Sequence, residues 1–440
     1  MPGPETRPAV CLVTNELYPL SAGGIGRLMH NFARHNAEMG FPAELHLLLP
    51  PEALAGDGAR ANAEAAYDGL ATLHVCPSLR TEPHEMAQLL DVALFHDWTI
   101  DQHFACSYRY FIGLLAAERA LGRPFDVIEF PDFGGWATAT IEARRAGRAF
   151  TRTRIAARLH STQGMIYRAE RFTHHPSLWL GLLLDAERHL LAHADVIVGH
   201  VPAIVEENAA HYALAGRWAG RTRTEFPPIL PDPGEPGPPP EDASPPEAPD
   251  FVFSSRLQPF KRPDLFIRAA VSFLTRRPDY PGRFRLISYG WDGDYIAELE
   301  ALVPRSMRGR ILFQFAMDPA ERTARLASAV VVVPSDYESL CLFAFEAADL
   351  GARVILNRAC PAFGRSSRWR EGETCLMFDG EAEDLADTME RALDWHPGAA
   401  PDLAPDPPYW LEVPAPAPEP DTSTRQALSL IMFGTTDRAV

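Results

Sequence analysis

Continuous apolar runs alternate with helix-like patterns along most of the chain. Each run predicts a strand buried on both faces, and the alternation predicts an α/β fold whose helices cover parallel sheets. The predicted strands of the first half are AVCLVT (9–14), ELHLLL (44–49), DVIEF (126–130), RIAARLH (154–160) and DVIVGH (195–200). Those of the second half are FVFSSRL (251–257), FRLISYG (284–290), ILFQF (311–315) and AVVVVPS (329–335).

A glycine-rich turn, LYPLSAGGIG (17–26), follows the first strand. The pattern after this turn predicts a helix that starts at Arg27 and stops at Gly40. A second helix is predicted over 340–350, where Gly351 supplies the usual residue just past a helix end.

Two proline-rich segments divide the chain. Dense proline cannot continue a helix or donate to a sheet, so we predict a linker at 226–250 between an N-terminal domain (1–225) and a C-terminal domain (251–397). The tail, 398–440, is also rich in proline, and we do not expect it to pack back as a helix. Its strand-like run ALSLIMFG (427–434) suggests the start of a further module. Two such domains place a ligand cleft between the carboxyl ends of their strands.

The net charge of the chain limits the class of partner that it can bind. A net charge of -17 argues against nucleic acid, because binding phosphates needs an excess of Lys and Arg. The six cysteines have no metal or disulfide spacing, so we expect free thiols in a reducing compartment. MPGPETRPAV has no apolar signal-peptide core, and LWLGLLL (178–184) is too short to span a bilayer. We therefore expect a cytoplasmic protein.

The stretch PSDYESLCLFAFEAADLG (334–351) places Glu338 and Glu346 in an apolar context, where an unpaired carboxylate is costly. A sugar diphosphate would satisfy both features of this segment, because its hydroxyls donate to carboxylates and its phosphates bind a helix N-terminus. The alternative is that Glu346 pairs with Arg353 or another basic side chain while Glu338 faces water. In SSRLQPFKRPD (254–264), Arg256 and Lys261 follow a strand and suit a diphosphate, although a solvated loop is the alternative.

The order of these motifs resembles that of the family-4 retaining glycosyltransferases. SRLQPFKR (255–262) is similar to the family's G-R-L-x-x-x-K-G motif, and PSDYESLCLFAFEA (334–347) to P-S-x-x-E-x-x-G-x-x-x-x-E-A. Further similar segments are AGGIGR (22–27), GARVI (351–355) and TCLMF (374–378), and the resemblance covers roughly residues 9–395. It implies the GT-B fold, in which two Rossmann-like domains face each other across a cleft.

The resemblance implies roles for the matched residues. Arg256 and Lys261 would hold the diphosphate and stabilise the leaving group. Glu346 would bind the ribose, and Glu338 the donor sugar. His160 would lie close to the transferred sugar, although a strand-end histidine bonded to the backbone is the alternative. The remaining residues of the expected donor site are Gly23, Gly24, Gly26, Ser339, Leu340 and Cys341.

The implied reaction replaces the nucleoside diphosphate of a UDP- or GDP-sugar with an acceptor hydroxyl on the same face. The cations and the helix N-terminus would stabilise the departing phosphate, so no metal or other cofactor is expected. By family analogy, the acceptor is a glycan or a lipid-linked molecule of bacterial surface polysaccharide synthesis. We expect acceptor contacts from Glu129, Asp132 and Trp136 in EFPDFGGW (129–136).

The chain departs from the family pattern at five positions. Ser255, Arg262, Cys341 and Phe315 stand where the family has glycine, and Arg353 stands where it has proline. Cys341 is the most consequential, because glycine there lets backbone amides reach the donor. These departures keep a second hypothesis open, a catalytically silent module that binds nucleotide sugar or glycan within a larger protein. A nucleotide-sugar hydrolase or epimerase is a third.

Four other signals are weaker. WDGDY (291–295) contains the Asp-x-Asp of metal-dependent transferases, but Asp-Gly after a strand is ordinary turn chemistry. His189 and His193 have metal-ligand spacing without an evident third ligand. AGGIGR lacks the last glycine of a nicotinamide-binding turn, since Met29 stands there. The arginine-rich segment 142–158 suggests peripheral contact with a membrane, for which a solvated helix face is the alternative.

Overall fold

The computed structural model describes residues 7–21, 23–77, 102–170, 178–231, 248–288, 293–315, 319–364 and 366–412. Two parallel sheets, each flanked by helices, form the two halves of the molecule, which confirms the predicted α/β class. The predicted run 427–434 and residue Asp292 of the Asp-x-Asp segment lie outside the described residues.

The N-terminal sheet has seven strands in the order β3-β2-β1-β4-β5-β6-β7. Its strands are β1 (Ala9–Val13), β2 (Glu44–Leu49), β3 (Thr72–Val75), β4 (Val127–Pro131), β5 (Arg154–Arg158), β6 (Val196–Gly199) and β7 (Thr222–Thr224). Its helices are α1 (Gly24–Glu38), α2 (Ala59–Tyr67), α3 (Gln102–Leu121), α4 (Thr138–Arg145), α5 (Gln163–Ala169), α6 (Leu178–His193), α7 (Pro202–His211) and α8 (Ala215–Trp218).

The C-terminal sheet has six strands in the order β10-β9-β8-β11-β12-β13. They are β8 (Phe251–Ser254), β9 (Phe284–Ser288), β10 (Ile311–Phe315), β11 (Val330–Val333), β12 (Arg353–Asn357) and β13 (Leu376–Phe378). The helices are α9 (Pro263–Arg276), α10 (Gly293–Ala301), α11 (Pro319–Ala327), α12 (Leu342–Asp349) and α13 (Ala382–Asp394).

All nine predicted strands form, and the structure adds four that were not predicted. The added strands β3, TLHV, and β7, TRT, lie at the two edges of their sheet and are partly polar, so they lack the long apolar run of a central strand. Two predicted helix starts are wrong: α12 begins at Leu342 and not at 340, and α1 begins at Gly24, inside the glycine-rich turn, and not at Arg27. Glycine has no side chain to disfavour that start, and the Gly23 backbone is extended before it.

The proline-rich tail returns from the C-terminal domain to the N-terminal domain as an extended segment. Arg368 donates to the Asp402 and Ala404 carbonyls at 3.0 and 2.6 Å, which fixes the start of the tail. The tail ends in a short 3₁₀ turn at Tyr409–Leu411, where Trp410 packs edge-on against Phe32 of α1, 5.4 Å between ring centroids. Apolar burial of Trp410, 2% exposed, therefore anchors the described part of the tail on the N-terminal domain.

The first part of the predicted linker is also packed. The Phe226 amide donates to Asp406 of the tail at 2.7 Å, and the Phe226 ring meets Phe345 of α12 at 5.1 Å. Asn31 of α1 donates to the Pro228 carbonyl at 3.1 Å. Residues 226–231 thus bind to both domains. None of the helices in the described ranges is long and apolar enough to cross a membrane.

Candidate active site at the interdomain cleft

Two adjacent strands of the C-terminal sheet bring the predicted diphosphate and sugar residues together. Strands β8 and β11 pair in parallel, with Val252 opposite Val331. Their carboxyl ends therefore lie at the same sheet edge, where Arg256 follows β8 and Glu338 follows β11. The backbone joins the two loops, because the Asp336 amide donates to the Phe260 carbonyl at 2.8 Å.

Lys261 and Glu338 form a tight ion pair at this edge. Lys261 Nζ donates to Glu338 Oε2 at 2.7 Å, and Ser335 Oγ donates to Glu338 Oε1 at 2.7 Å. The two charged side chains are only 17% and 10% exposed. Both Glu338 oxygens are thus engaged, and the ammonium group is held at the cleft by a partly buried carboxylate.

Lys261 is the only lysine among the 440 residues, against 40 arginines. An ammonium is a compact point charge, whereas a guanidinium is a planar fork that needs more room. A chain that uses arginine everywhere else keeps lysine where the cation sits beside a carboxylate in a narrow space. This count supports a specific chemical role for Lys261.

Two of the four residues that stand where the family has glycine adopt a backbone conformation that favours glycine. Arg262 and Cys341 have φ values of 57° and 66°, in the left-handed region that favours glycine. The Arg262 side chain compensates, because it donates to Asp264 at 3.0 Å and to Asp336 at 3.1 Å. It thereby ties the loop of Lys261 to the loop of Glu338.

On the opposite side of the cleft, the glycine-rich turn presents the N-terminus of α1. A Cβ at Gly26 would lie 3.0 Å from the Tyr18 amide nitrogen, so the turn packs too closely for a side chain. At Gly24, the nearest atom to such a Cβ is Leu342 Cδ1 at 3.8 Å, on α12 of the other domain. The turn thus faces α12, which begins just after Cys341, with Ser339 and Leu340 in the connecting loop.

Two ion pairs cross the cleft. Arg256 Nη2 donates to Glu16 Oε1 at 3.2 Å, and Arg27 Nη2 lies 3.4 Å from Glu346 Oε1. The alternative for Glu346 is confirmed in part: it pairs with a basic side chain, but that side chain is Arg27, since Arg353 donates to the carbonyls of Ala392 and Leu393 at the end of α13. Glu338 does not face water, because it is only 8% exposed.

His160 lies where β5 ends, with its ring 6.1 Å from that of His200. Burial, and then the neighbouring His200, lower the pKa of His160 well below its ordinary value, so its ring is neutral. The His160 and Ser161 amides donate to Asp132 Oδ1 at 3.0 and 3.2 Å. Asp132 therefore shapes the loop that carries His160.

A second buried carboxylate supports the same loop. Glu187 of α6 accepts hydrogen bonds from the amides of Gln163 and Gly164 at 3.0 and 3.2 Å, and from Gly134 at 3.2 Å. Burial raises the pKa of Glu187 to about 8 and that of Asp132 to about 7. Sequence reasoning missed Glu187, because a single acid on a helix gives no signal of its own.

The predicted acceptor residues separate in the structure. Both Glu129 oxygens accept hydrogen bonds from the fully buried Arg158, at 2.7 and 3.0 Å, and Glu129 is only 3% exposed, so it is a structural counter-ion out of reach of an acceptor. Asp132 is 1% exposed and holds backbone amides. Trp136 is partly buried and stacks on Tyr110 at 4.8 Å between ring centroids. Of these three residues, we retain only Trp136 as a predicted acceptor contact.

The weaker signals have ordinary structural partners. His189 lies 2.9 Å from Glu142, and the groups of three His, Cys, Asp or Glu side chains that a metal needs do not occur in the described parts of the chain. In the arginine-rich segment, Arg144 pairs with Asp195 and Arg145 with Glu142.

Known proteins show the same pattern of motifs in part of the chain. Residues 248–394 match the family model of glycosyl transferases group 1. The chain is 34% identical over 145 residues to the D-inositol 3-phosphate glycosyltransferase of Rhodococcus erythropolis, which covers 32% of each protein. The protein of the same name from Rhodococcus jostii is 32% identical over 166 residues, 37% of this chain and 36% of that protein. The match thus spans about a third of the length of these curated relatives.

Solved structures resemble nearly the whole chain. Anabaena Alr3699/HepE in complex with UDP and glucose has a TM-score of 0.56 at 15% identity, covering 88% of this chain and 90% of that one. The catalytic domain of starch synthase IV from Arabidopsis thaliana, bound to ADP and acarbose, has a TM-score of 0.59 at 13% identity, covering 88% and 92%. At these identities the likeness establishes the shared fold.

Proposed function

Because the chain has the GT-B fold and its residues 248–394 are a glycosyl transferases group 1 domain, we propose that the protein is a retaining glycosyltransferase that uses a nucleotide-sugar donor. The proposal is carried by one observation. Arg256 and Lys261 both follow β8 at the carboxyl ends of the strands, and Arg256 reaches across the cleft to Glu16, which lies beside the N-terminus of α1. Two cations and a helix N-terminus form a site suited to a diphosphate.

The donor lies along α12 in this proposal. Its phosphates contact Arg256, Lys261 and the glycine-rich turn, its ribose hydroxyls donate to Glu346, and its sugar lies near Glu338 and His160. A neutral His160 accepts or donates a hydrogen bond to a sugar hydroxyl without adding charge.

In the reaction, the bond between the anomeric carbon and the phosphate oxygen breaks, and a bond to the acceptor oxygen forms on the same face. The acceptor proton passes to the departing phosphate, which lies beside it. Negative charge grows on that phosphate, and Arg256, Lys261 and the α1 N-terminus stabilise it. These groups take the charge that a divalent metal neutralises in other transferases, so we propose a metal-independent reaction.

We propose a hydroxyl acceptor on a glycan or lipid-linked molecule, within bacterial surface polysaccharide synthesis, at the cytoplasmic side of the membrane. The relatives named above as D-inositol 3-phosphate glycosyltransferases support a hydroxyl acceptor. Trp136 lies in the loop after β4, and its indole ring offers an aromatic face for a sugar ring.

Calorimetric titration with UDP and with GDP tests the donor site. We expect one nucleotide to bind, and Arg256→Ala to weaken that binding by about tenfold or more. The matched control is Arg308→Ala. Arg308 is exposed and lies just before β10, on the side of the sheet opposite to the carboxyl ends of the strands. Absence of binding by either nucleotide, or equal effects of the two substitutions, would overturn the donor assignment.

A second candidate is a silent module that binds a nucleotide sugar without transfer. Cys341 favours it, because a side chain stands where the family glycine allows close approach of the donor. A panel of sugars linked to the nucleotide that binds, assayed for nucleotide release with glycan acceptors, separates the two. Release that is lost in Lys261→Ala supports the transferase, and binding without release supports the silent module.

A further inference from the structure

Two residues of the proposed donor site have partners of opposite charge on a single segment of the N-terminal domain. Glu16, in the loop after β1, contacts the cation Arg256, and Arg27, in the first turn of α1, contacts the anion Glu346. The side chains of Glu16, Arg27 and Glu346 are 17 to 18% exposed, whereas Arg256 is 58% exposed. The Arg27–Glu346 contact is therefore shielded from solvent, and the Glu16–Arg256 contact is open to solvent on its Arg256 side.

Glu16 has the surroundings of a bound phosphate. Its carboxylate occupies the space that a Cβ on Gly23 would fill, and the Gly26 amide points at its Oε2 from 3.5 Å. Its other oxygen accepts a hydrogen bond from Arg256. A glycine turn, a helix N-terminus and an arginine on one anion are the elements by which proteins bind phosphate.

Arg27 has the position of a hydrogen-bond donor to Glu346. In the proposed function, ribose hydroxyls donate to the same carboxylate. The two side chains therefore supply, from within the chain, the anion and the donor groups that a nucleoside diphosphate would bring.

We infer that Glu16 and Arg27 form an internal mimic of the donor, and that Glu16 is an affinity-determining residue which the diphosphate must displace. This inference rests on the proposed function, because it assumes that Arg256 and the glycine-rich turn receive phosphate. The diphosphate can bind only those molecules in which Glu16 has left the site. Its apparent affinity is therefore the intrinsic affinity multiplied by the fraction of such molecules. The mimic also links the two domains before the donor arrives.

Glu16→Gln tests the inference, because it removes the charge and keeps the shape. The matched control is Glu38→Gln, on the last turn of α1, where the carboxylate is 54% exposed and contacts only His35 among the described residues. The probes are UDP, GDP and inorganic pyrophosphate, titrated by calorimetry. We expect Glu16→Gln to tighten binding of the diphosphate probes roughly three- to tenfold, and Glu38→Gln to leave it unchanged.

The pairing with Arg256 predicts a further result. In an Arg256→Ala background, Glu16→Gln should tighten binding much less, since the shared cation is gone. Unchanged or weaker binding in Glu16→Gln alone, with the wild type still binding a nucleotide, overturns the mimic and leaves the proposed function intact. Tighter pyrophosphate binding with no nucleotide binding supports Glu16 and overturns the donor assignment. No binding of any probe to any variant overturns both.

Lys261 provides a readout that needs no turnover. Because it is the only lysine, reductive methylation with ¹³C-formaldehyde labels Lys261 and the terminal amine alone, and it keeps the positive charge. Pyrophosphate should shift the Lys261 methyl signal at lower concentration in Glu16→Gln than in the wild type. The same midpoint in both proteins contradicts the inference, and a Lys261 methyl signal distinct from that of the urea-unfolded variant shows that the fold is retained.

Discussion

Arg262 and Cys341 lie on different loops of the C-terminal domain, yet both hold a left-handed backbone, with φ of 57° and 66°. Only Arg262 has side-chain ion pairs that offset the strain, with Asp264 and Asp336. The two positions therefore respond oppositely to glycine. Cys341→Gly should raise the free energy of unfolding by up to about 1 kcal/mol, because a left-handed non-glycine residue costs about that much.

Arg262→Gly, the matched comparison, relieves the same strain but removes both ion pairs and should lower the free energy of unfolding by about 1 kcal/mol or more. Urea unfolding of the two variants beside the wild type measures the difference. If the free energy of unfolding changes with the same sign in both variants, the balance between backbone strain and the Arg262 ion pairs does not explain their stability.

Lys261→Arg should abolish most turnover although it conserves the charge. The Lys261 ammonium lies 2.7 Å from Glu338, and the Lys261 side chain is only 17% exposed. Because a guanidinium is wider, it would displace either Glu338 or the diphosphate. A loss of about 10²–10³-fold is expected for a misplaced group that stabilises developing charge. Initial rates of nucleotide release measure it, with Arg308→Lys as control. Near-normal rates in Lys261→Arg would mean that charge alone suffices.

Arg158 should be among the most sensitive positions in the N-terminal domain. It is fully buried between Glu129 and Glu225, and Glu225 also accepts the Tyr409 amide of the tail at 2.7 Å. Arg158→Met leaves two buried carboxylates without their cation, which costs about 3–5 kcal/mol. Thermal unfolding measures this loss, and faster proteolysis of the tail should accompany it.

The control for that experiment is Arg60→Met, which removes an exposed pair with Glu64 on α2, where the side chains are 71% and 58% exposed. Such a pair contributes well under about 1 kcal/mol. Similar destabilisation by both substitutions would rule out the buried network as the cause.

Stability should fall as the pH rises from 6.5 to 8. Burial raises the pKa of Asp132 to about 7 and of Glu187 to about 8, above the unfolded values of 3.8 and 4.5. The folded state thus binds the extra protons, and its advantage is lost as the pH rises through the folded pKa values. His160 and His200, whose pKa values are lowered from 6.5, have the opposite effect, which fades as the pH rises through 6.5, so the fall in stability is clearest above about pH 7.

Glu187→Gln should flatten this part of the pH profile, by at most about 1.4 kcal/mol per pH unit for one group. Unfolding midpoints in urea at half-unit steps measure the slope, and Glu64→Gln on the exposed face of α2 is the control. An unchanged slope in Glu187→Gln would assign the pH dependence to other groups.

The sequence by itself determined the α/β class, nine of the thirteen described strands and the placement of Arg256, Lys261 and Glu338 in one site. These follow from local rules. Long apolar runs mark central strands, and residues that follow adjacent parallel strands must meet at one edge. Short edge strands such as TLHV and TRT were not predicted from the sequence, because they are neither long nor wholly apolar.

Only the tertiary structure decided which charges meet. Glu16 pairs with Arg256 across 240 positions, and Glu129 is used up by Arg158 inside the N-terminal domain. Such pairs depend on how two domains and an extended tail pack, and no local period of apolar residues records that packing. The sequence therefore identified the cations that we propose for a diphosphate, and the structure showed that the protein itself already pairs Arg256 with Glu16 and Lys261 with Glu338.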